Sequence, residues 1–375
     1  MAALSYTDAV NEALERLRGV GFEHGPRFVN HAPMAAEALA HMGYTDEVPG
    51  WVDRNLRTRT YHDVPELRWA IDPADRAGWQ AALGDFARVG DWTALFEREL
   101  SEDEWTEVLA RWWPRLLPGM SGVLTHGVIR TAHAVRAVAA AGPDNHRQLS
   151  ELAQGLGYWA ARYAGHGAPV DDSDSGELAA DPDPDPDPDP DAGADANTGA
   201  GALGDGRRDD GRNRDRDRDR VHDHGEGDGH DDGDGDGHGR DPAARALDEL
   251  VAEYSGIYAT VAQRHPIPLI HSVTGPAAVR LVIEYLPPAQ RWPSYRVARS
   301  LSRTMLDWFQ ATPRPQAPLP EAPDVDEVFA NAVQIGDEHA IKLAEVAVRH
   351  EAIAPDPRHA AAAQIANQGL GRLYL

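Results

Sequence analysis

The sequence predicts an all-α protein: a single helical domain interrupted by a long disordered acidic insert. Three observations carry this. Apolar residues recur at three- and four-residue spacing behind Ser/Asp capping signals, no Val/Ile/Thr-rich alternating run is bounded by tight-turn dipeptides, and no βαβ pattern repeats. The insert is marked by a composition break. Of 375 residues, 61 are acidic and 36 basic, a net charge of −25. Residues 171–241 alone hold 25 Asp and Glu against 8 Arg, whereas the remainder carries 36 acids and 28 bases. The acidity therefore belongs mainly to one segment, and the chain divides into 1–170, 171–241 and 242–375.

Ser5-x-x-Asp8 is a capping signal followed by Val10, Leu14 and Leu17 at helical spacing. A helix is expected near 33–42, with Pro33 suited to its first turn. Ser101-x-x-Glu104 repeats the capping signal before Trp105, Val108, Leu109 and Trp112. Further helices are expected near 122–141 and 148–164, then near 243–260, 276–286 and 293–311. Asp324-x-x-Glu327 opens a long segment reaching about residue 353, and a last helix covers about 357–370.

The insert contains five Asp-Pro pairs at 181–190, and its only Leu, Ile, Val or Phe residues are Leu178, Leu203 and Val221. It buries too little apolar area to offset ordering entropy, so it is predicted disordered. Its motif matches carry no weight. Gly199-Ala200-Gly201-Ala202-Leu203-Gly204 matches a dinucleotide loop without strand or helix. Asp232, Asp234, Asp236 and Gly237 begin a calcium loop whose twelfth position is Ala243 where Glu is needed. His222, His224, His230 and His238 are the histidines of a low-complexity tract.

Composition also excludes chemistry. There is no cysteine, hence no disulfide, iron–sulfur cluster, thiolate zinc site or cysteine nucleophile. No apolar run of about 18 residues exists, so no membrane span is expected. No signal peptide is read at Met1–Ser5, and a soluble cytoplasmic protein is expected. Phosphate neutralisation needs clustered Lys and Arg, so nucleic acid is not an expected partner.

Thirteen of the 17 histidines lie outside the insert. His31 precedes Pro33 at a helix start, where a side chain either caps, faces solvent or points into a cavity. His126, Arg130 and His133 stand at i, i+4 and i+7, on one helix face. The two His are about 10.5 Å apart along a straight helix, so they are not expected to ligate one ion. Neighbouring Ala and Val suggest that this stripe is buried. His271 follows Pro268-Leu269-Ile270 and is placed in the turn before a helix beginning near Pro276, capped by Ser272 or Thr274. A satisfied core histidine is the competing reading there.

His339 and Lys342 share a face at i and i+3. Lys342 is the sole lysine beside 35 arginines. A chain that writes its other cations as Arg has reason to keep one Lys where Arg will not serve. Burial lowers a lysine's pKa and exposes a neutral amine. Such an amine can act as base, form a Schiff base, or react with CO₂ to give an anionic carbamate. Several His with no thiolate suit iron, zinc, copper or nickel. Four His and one anionic oxygen would leave one octahedral position for O₂.

Asn30-His31-Ala32-Pro33-Met34, Trp113-Pro114-Arg115-Leu116-Leu117-Pro118-Gly119 leading to Thr125-His126-Gly127-Val128-Ile129-Arg130, His271-Ser272-Val273-Thr274-Gly275, and Asp337-Glu338-His339-Ala340-Ile341-Lys342 together resemble the questin oxidase-like family. The resemblance runs in order through 1–170 and 242–375 and excludes the insert. It implies an α-helical oxygenase that opens anthraquinone-type rings, or inserts oxygen in the Baeyer–Villiger manner, on an aromatic polyketide with O₂ and NADPH. It also implies a mononuclear non-haem Fe(II) site. The ligands would be His31, His126, His271, His339 and a carboxylated Lys342, while Arg130 and His133 contact substrate or support the ligands. Fungal relatives carry a second His where Arg130 stands. No flavin or dinucleotide fingerprint accompanies this. Trp51, Trp112, Trp113 and Trp308 are candidates to line a flat aromatic pocket.

Two other readings use the same residues. One is a zinc-dependent hydrolase with the carbamate or a water as base. The His62-Asp63 pair, beside Pro65, is a poor fit to the His-Asp of helical phosphohydrolases. The other is a non-catalytic helical scaffold with a polar core.

Overall fold

The computed structural model describes residues 4–165, 241–262, 266–314 and 317–373. All of the insert except Asp241 lies outside them. The described residues form fourteen α-helices and one two-stranded hairpin, so the chain is all-α. The helices are α1 (Tyr6–Arg16), α2 (Ala32–His41), α3 (Val48–Thr58), α4 (Arg76–Ala82), α5 (Val89–Glu102), α6 (Trp105–Leu116), α7 (His126–Ala141) and α8 (His146–Ala161) before the insert. After it come α9 (Pro242–Thr260), α10 (Ile267–Val282), α11 (Pro288–Trp308), α12 (Val325–Ile335), α13 (Glu338–Ile353) and α14 (Pro357–Gly371).

Four helices form the centre. α2 packs on α7, α7 on α10, α10 on α13, and α13 back on α2. Two precede the insert and two follow it, so its flanks meet in one compact unit. Nearly every residue of α7, α10 and α13 up to Ala347 is buried. That degree of enclosure explains why these helices are Ala/Val-rich on all faces rather than amphipathic. α1 and α3 lie on one side, α5 and α8 on another, and α9, α11, α12 and α14 cover the rest. A hairpin of β1 (Glu23–His24) and β2 (Phe28–Val29) leads into α2. Asn30 fixes that junction: Nδ2 donates to the Gly21 carbonyl at 2.9 Å and Oδ1 accepts from Ala32 N at 3.0 Å.

Ser5 caps α1 by accepting from Asp8 N at 3.2 Å, and Asp241, the last residue assigned to the insert, caps α9 through Ala243 N and Ala244 N. Three local expectations are corrected. First, Ser101 starts no helix. It sits in the last turn of α5, where its Oγ donates to the Arg98 carbonyl at 2.7 Å. The helices α3, α4 and α5 were not anticipated. α3 opens Val48-Pro49-Gly50, a turn-like string, yet proline costs nothing in a first turn because its missing N–H has no partner there anyway.

Second, the long segment from Asp324 is two helices. Gly336 ends α12 at φ +74°, a left-handed conformation natural to glycine, and Asp337 at once caps α13. Its Oδ1 accepts from His339 N at 2.8 Å and Ala340 N at 3.2 Å. Glu338 and His339 thus occupy a first helical turn that starts at the centre of the protein.

Third, no helix begins at Pro276. α10 runs from Ile267 straight through it. Pro276 lacks the N–H that would bond the Ser272 carbonyl, and Ser302 Oγ of α11 donates to that carbonyl instead, at 2.8 Å. His271 is therefore an interior helix residue, not a turn residue.

Candidate metal centre

Each central helix brings a histidine to one place. The rings of His31 and His126 have centroids 4.6 Å apart, His31 and His339 4.5 Å, His126 and His271 4.3 Å, and His271 and His339 5.7 Å. All four are buried, and one ring nitrogen from each of His31, His126 and His339 lies within 4.8 Å of the others. Lys342, one turn beyond His339 on α13, is 1 % exposed, and its charge acts on His31, His126 and His271.

The backbone before His126 is built for this geometry. Val123, Leu124 and Thr125 take φ values of +43°, +53° and +65°, three successive left-handed residues without a glycine. Each costs about 1–2 kcal/mol for an L-residue. The turn carries the Val123 carbonyl beneath His126, whose Nδ1 donates to it in a short hydrogen bond. A carbonyl only accepts, so the proton of a neutral His126 sits on Nδ1 and its Nε2 presents a lone pair. Gly127 then allows α7 to close on α8, since a Cβ there would meet the Trp159 backbone at 2.6 Å.

His31 Nδ1 faces the Glu338 carboxylate at 3.6 Å, and His339 Nδ1 faces Asp337 at 3.5 Å. Carboxylates behind Nδ1 favour its protonated form and leave Nε2 as the ligand atom. The Nε2 atoms of His31 and His126 approach to 2.6 Å. Glu338 is itself fixed by Arg59, whose NH2 donates to both carboxylate oxygens at 2.8 and 2.7 Å.

Burial and then the Lys342 charge push His31 and His126 well below the ordinary histidine range; burial does the same for His271, helped by His126 and Lys342. These three rings are neutral at physiological pH. Burial also brings Lys342 down to about 8, against the opposing pull of Glu338 and Asp337. Neither ring nitrogen of His271 nor Nζ of Lys342 has a hydrogen-bond partner. Orphaned buried nitrogens are costly in a core. Neutral imidazoles with convergent lone pairs, backed by carboxylates and a carbonyl, form a donor set that fits a divalent transition metal.

The stripe on α7 divides. Only His126 enters the cluster. Arg130 is clamped by Glu151, Nε to Oε1 at 2.6 Å and NH2 to Oε2 at 2.9 Å, and lies over the Phe22 ring. His133 Nδ1 donates to Glu37 Oε2 at 2.6 Å. Both residues are buried, as the Ala/Val surroundings suggested, but their hydrogen bonds go to Glu151 and Gln154 of α8 and to Glu37 of α2.

Further along the same helices, Arg136 of α7 bridges Glu37 of α2 and Glu345 of α13. Its Nε and NH2 donate to Glu37 at 2.8 and 2.5 Å, and NH1 makes a short bond to Glu345. This bridge ties three of the four histidine-bearing helices together. Glu37, Arg136 and Glu345, like Arg59 and Glu338, escaped notice in the sequence. Their one signal was charge inside otherwise apolar helices.

The four tryptophans do not share a pocket. Trp112 packs in a buried cluster with Trp79, Trp92 and Phe96, Trp113 packs against Trp159, and Trp308 is 42 % exposed. Trp51 alone borders a cleft, of about 470 Å³, together with Arg54, Asn55, Arg59 and Glu338. The His62-Asp63 pair is exposed on a loop, His62 Nε2 bonding the Gly25 carbonyl at 2.8 Å. No helix among the described residues is long and apolar enough to cross a membrane. No family model and no curated protein matches the chain.

Proposed function

We propose that the protein is a non-haem iron oxygenase of the questin oxidase-like kind, acting on an aromatic polyketide with O₂ and NADPH. The observation that supports it is the convergence of His31, His126, His271 and His339, one from each central helix, beside the buried Lys342. His31, His126, His271 and His339 would hold the ion. Bound Fe(II) would supply the one-electron chemistry that lets O₂ react with a closed-shell aromatic.

The chain's own residues do the rest. Imidazole ligands bring no negative charge, so a divalent ion held by them alone would stay uncompensated in a buried site, which is costly. Glu338 is already neutralised by Arg59. A neutral Lys342 amine reacting with CO₂ gives a carbamate and releases one proton, which adds the missing anionic oxygen. The Val123 carbonyl holds the His126 ring at Nδ1, and the Glu338 and Asp337 carboxylates face Nδ1 of His31 and His339, which leaves Nε2 of these rings free to serve as the ligand atom. Burial of all five residues keeps bulk water from the reacting centre.

Metal analysis of the purified protein with oxygen-electrode measurements on a hydroxyanthraquinone is the test. About one iron per chain and substrate-dependent O₂ consumption are expected. Zinc with hydrolytic activity would favour the hydrolase reading, and absence of bound metal would overturn both. Lys342→Arg cannot form a carbamate, so full metal content in that variant would remove Lys342 from the site.

A further inference from the structure

The cleft beside Trp51 and the histidine cluster share one side chain. Glu338 lines its floor and also faces His31 Nδ1 at 3.6 Å. Its volume, about 470 Å³, falls in the range that holds a small organic ligand. The walls come from α3, with Trp51, Arg54, Asn55 and Arg59, and from the left-handed turn at Gly336 that starts α13. Trp51 is locked, its Nε1 donating to the Gly336 carbonyl at 2.9 Å, so an apolar wall is held against the turn that carries the site.

Charge is unbalanced in this cleft. Two arginines and one acid line it. Arg59 spends its charge on Glu338 with two hydrogen bonds, whereas Arg54 is exposed and pairs with no acid among the described residues. Asn55 adds a second unmet donor. Its Oδ1 accepts from the Tyr61 hydroxyl at 2.5 Å, but Nδ2 has no hydrogen-bond partner although the residue is only 4 % exposed. An indole wall, a free guanidinium and an unused amide donor are the elements that recognise a ring bearing one negative charge.

We propose that this cleft is the substrate subsite, and that it selects a flat aromatic monoanion, a phenolate or carboxylate, whose charge is taken by Arg54. That role was expected of Arg130, whose guanidinium is committed to Glu151. The assignment of substrate rests on the reading of the histidine cluster as the reacting centre; the binding chemistry of the cleft is measured independently of it. The ring lies along Trp51 and Asn55, with Glu338 between it and His31. A neutral ring lacks the partner for Arg54, and a cation meets a net positive wall.

The test is a fluorescence titration of the full-length protein with 1-hydroxy-2-naphthoate and, in parallel, with its neutral methyl ester. The acid is expected to bind at least tenfold more tightly than the ester, the scale of one charge-assisted hydrogen bond. Arg54→Gln, on an exposed position of α3, should lower affinity for the acid about tenfold and leave the ester unchanged. Asn55→Asp should also weaken the acid, by adding like charge. Equal affinity for acid and ester, or unchanged acid binding in Arg54→Gln, would overturn the proposal. Metal content is measured on the same samples. Arg54-dependent binding by a protein that holds no metal would keep the subsite and discard the oxygenase, whereas metal without Arg54-dependent binding would do the reverse.

Discussion

The Nε2 atoms of His31 and His126 lie 2.6 Å apart, although 95 residues of sequence separate them. The Val123 carbonyl fixes the tautomer of one ring and the Glu338 carboxylate biases the other, so two lone pairs point into the same small volume. Two neutral rings in that state repel unless a cation lies between their lone pairs.

Glu338 should therefore govern metal affinity without being a ligand. Glu338→Gln keeps the shape of the side chain and removes the charge behind His31. Chelator competition should show a loss in metal affinity of about 10–100-fold. An unchanged constant would remove Glu338 from the support of His31.

His271 separates a metal centre from a polar core. Both its ring nitrogens are buried without partners. In His271→Leu the metal-free protein should gain about 1 kcal/mol, because an unsatisfied polar ring gives way to an apolar side chain. The same variant should bind less metal than wild type. Urea unfolding with and without chelator measures both, and a variant that keeps its metal would exclude His271 as a ligand.

Arg136→Met should destabilise the fold by about 3–5 kcal/mol, since it leaves Glu37 and Glu345 buried without their shared cation. The effect is pH-dependent, and its sign follows from Glu37. Burial pushes that carboxyl up, but Arg136 and His133 outweigh burial and hold it down at about 2, against an ordinary 4.5. A carboxyl depressed in the folded state adds stability above its unfolded pKa and loses it as pH falls toward the folded one. The gap between wild type and Arg136→Met should accordingly be full above about pH 5 and shrink between pH 4.5 and 2. Denaturation curves across that range check it, and a gap independent of pH would contradict the bridge.

Ser302→Ala should cost about 1–2 kcal/mol, unusual for so small a change, because the Ser272 carbonyl is left with no donor opposite Pro276. Thermal unfolding reads the shift. A second substitution, Pro276→Ala, restores the helical N–H and should recover most of the loss.

Much of the helical layout was legible because capping is local. Ser5 and Asp324 each announce a helix within four residues of sequence. The same locality misled at Ser101, whose hydroxyl returns to its own helix, and at Pro276, whose penalty is met by a residue 26 positions later in the chain.

His31, His126, His271, His339 and Lys342 were identifiable from residue type and context, since a lone lysine and unpaired histidines in apolar helices are costly unless used. The sequence by itself also determined the class, the break at 171–241 and the absence of thiol chemistry. Only the tertiary structure decided that the four rings meet, that Arg130 and His133 face away toward Glu151 and Glu37, and that Arg59, Arg54 and Glu338 frame a cleft. The reason is physical. Helix periodicity reports which residues share a face, but the partner of a buried charge is chosen by packing between helices, here α2 with α7 and α13 with both α2 and α10, and that contact leaves no mark at short range in the chain.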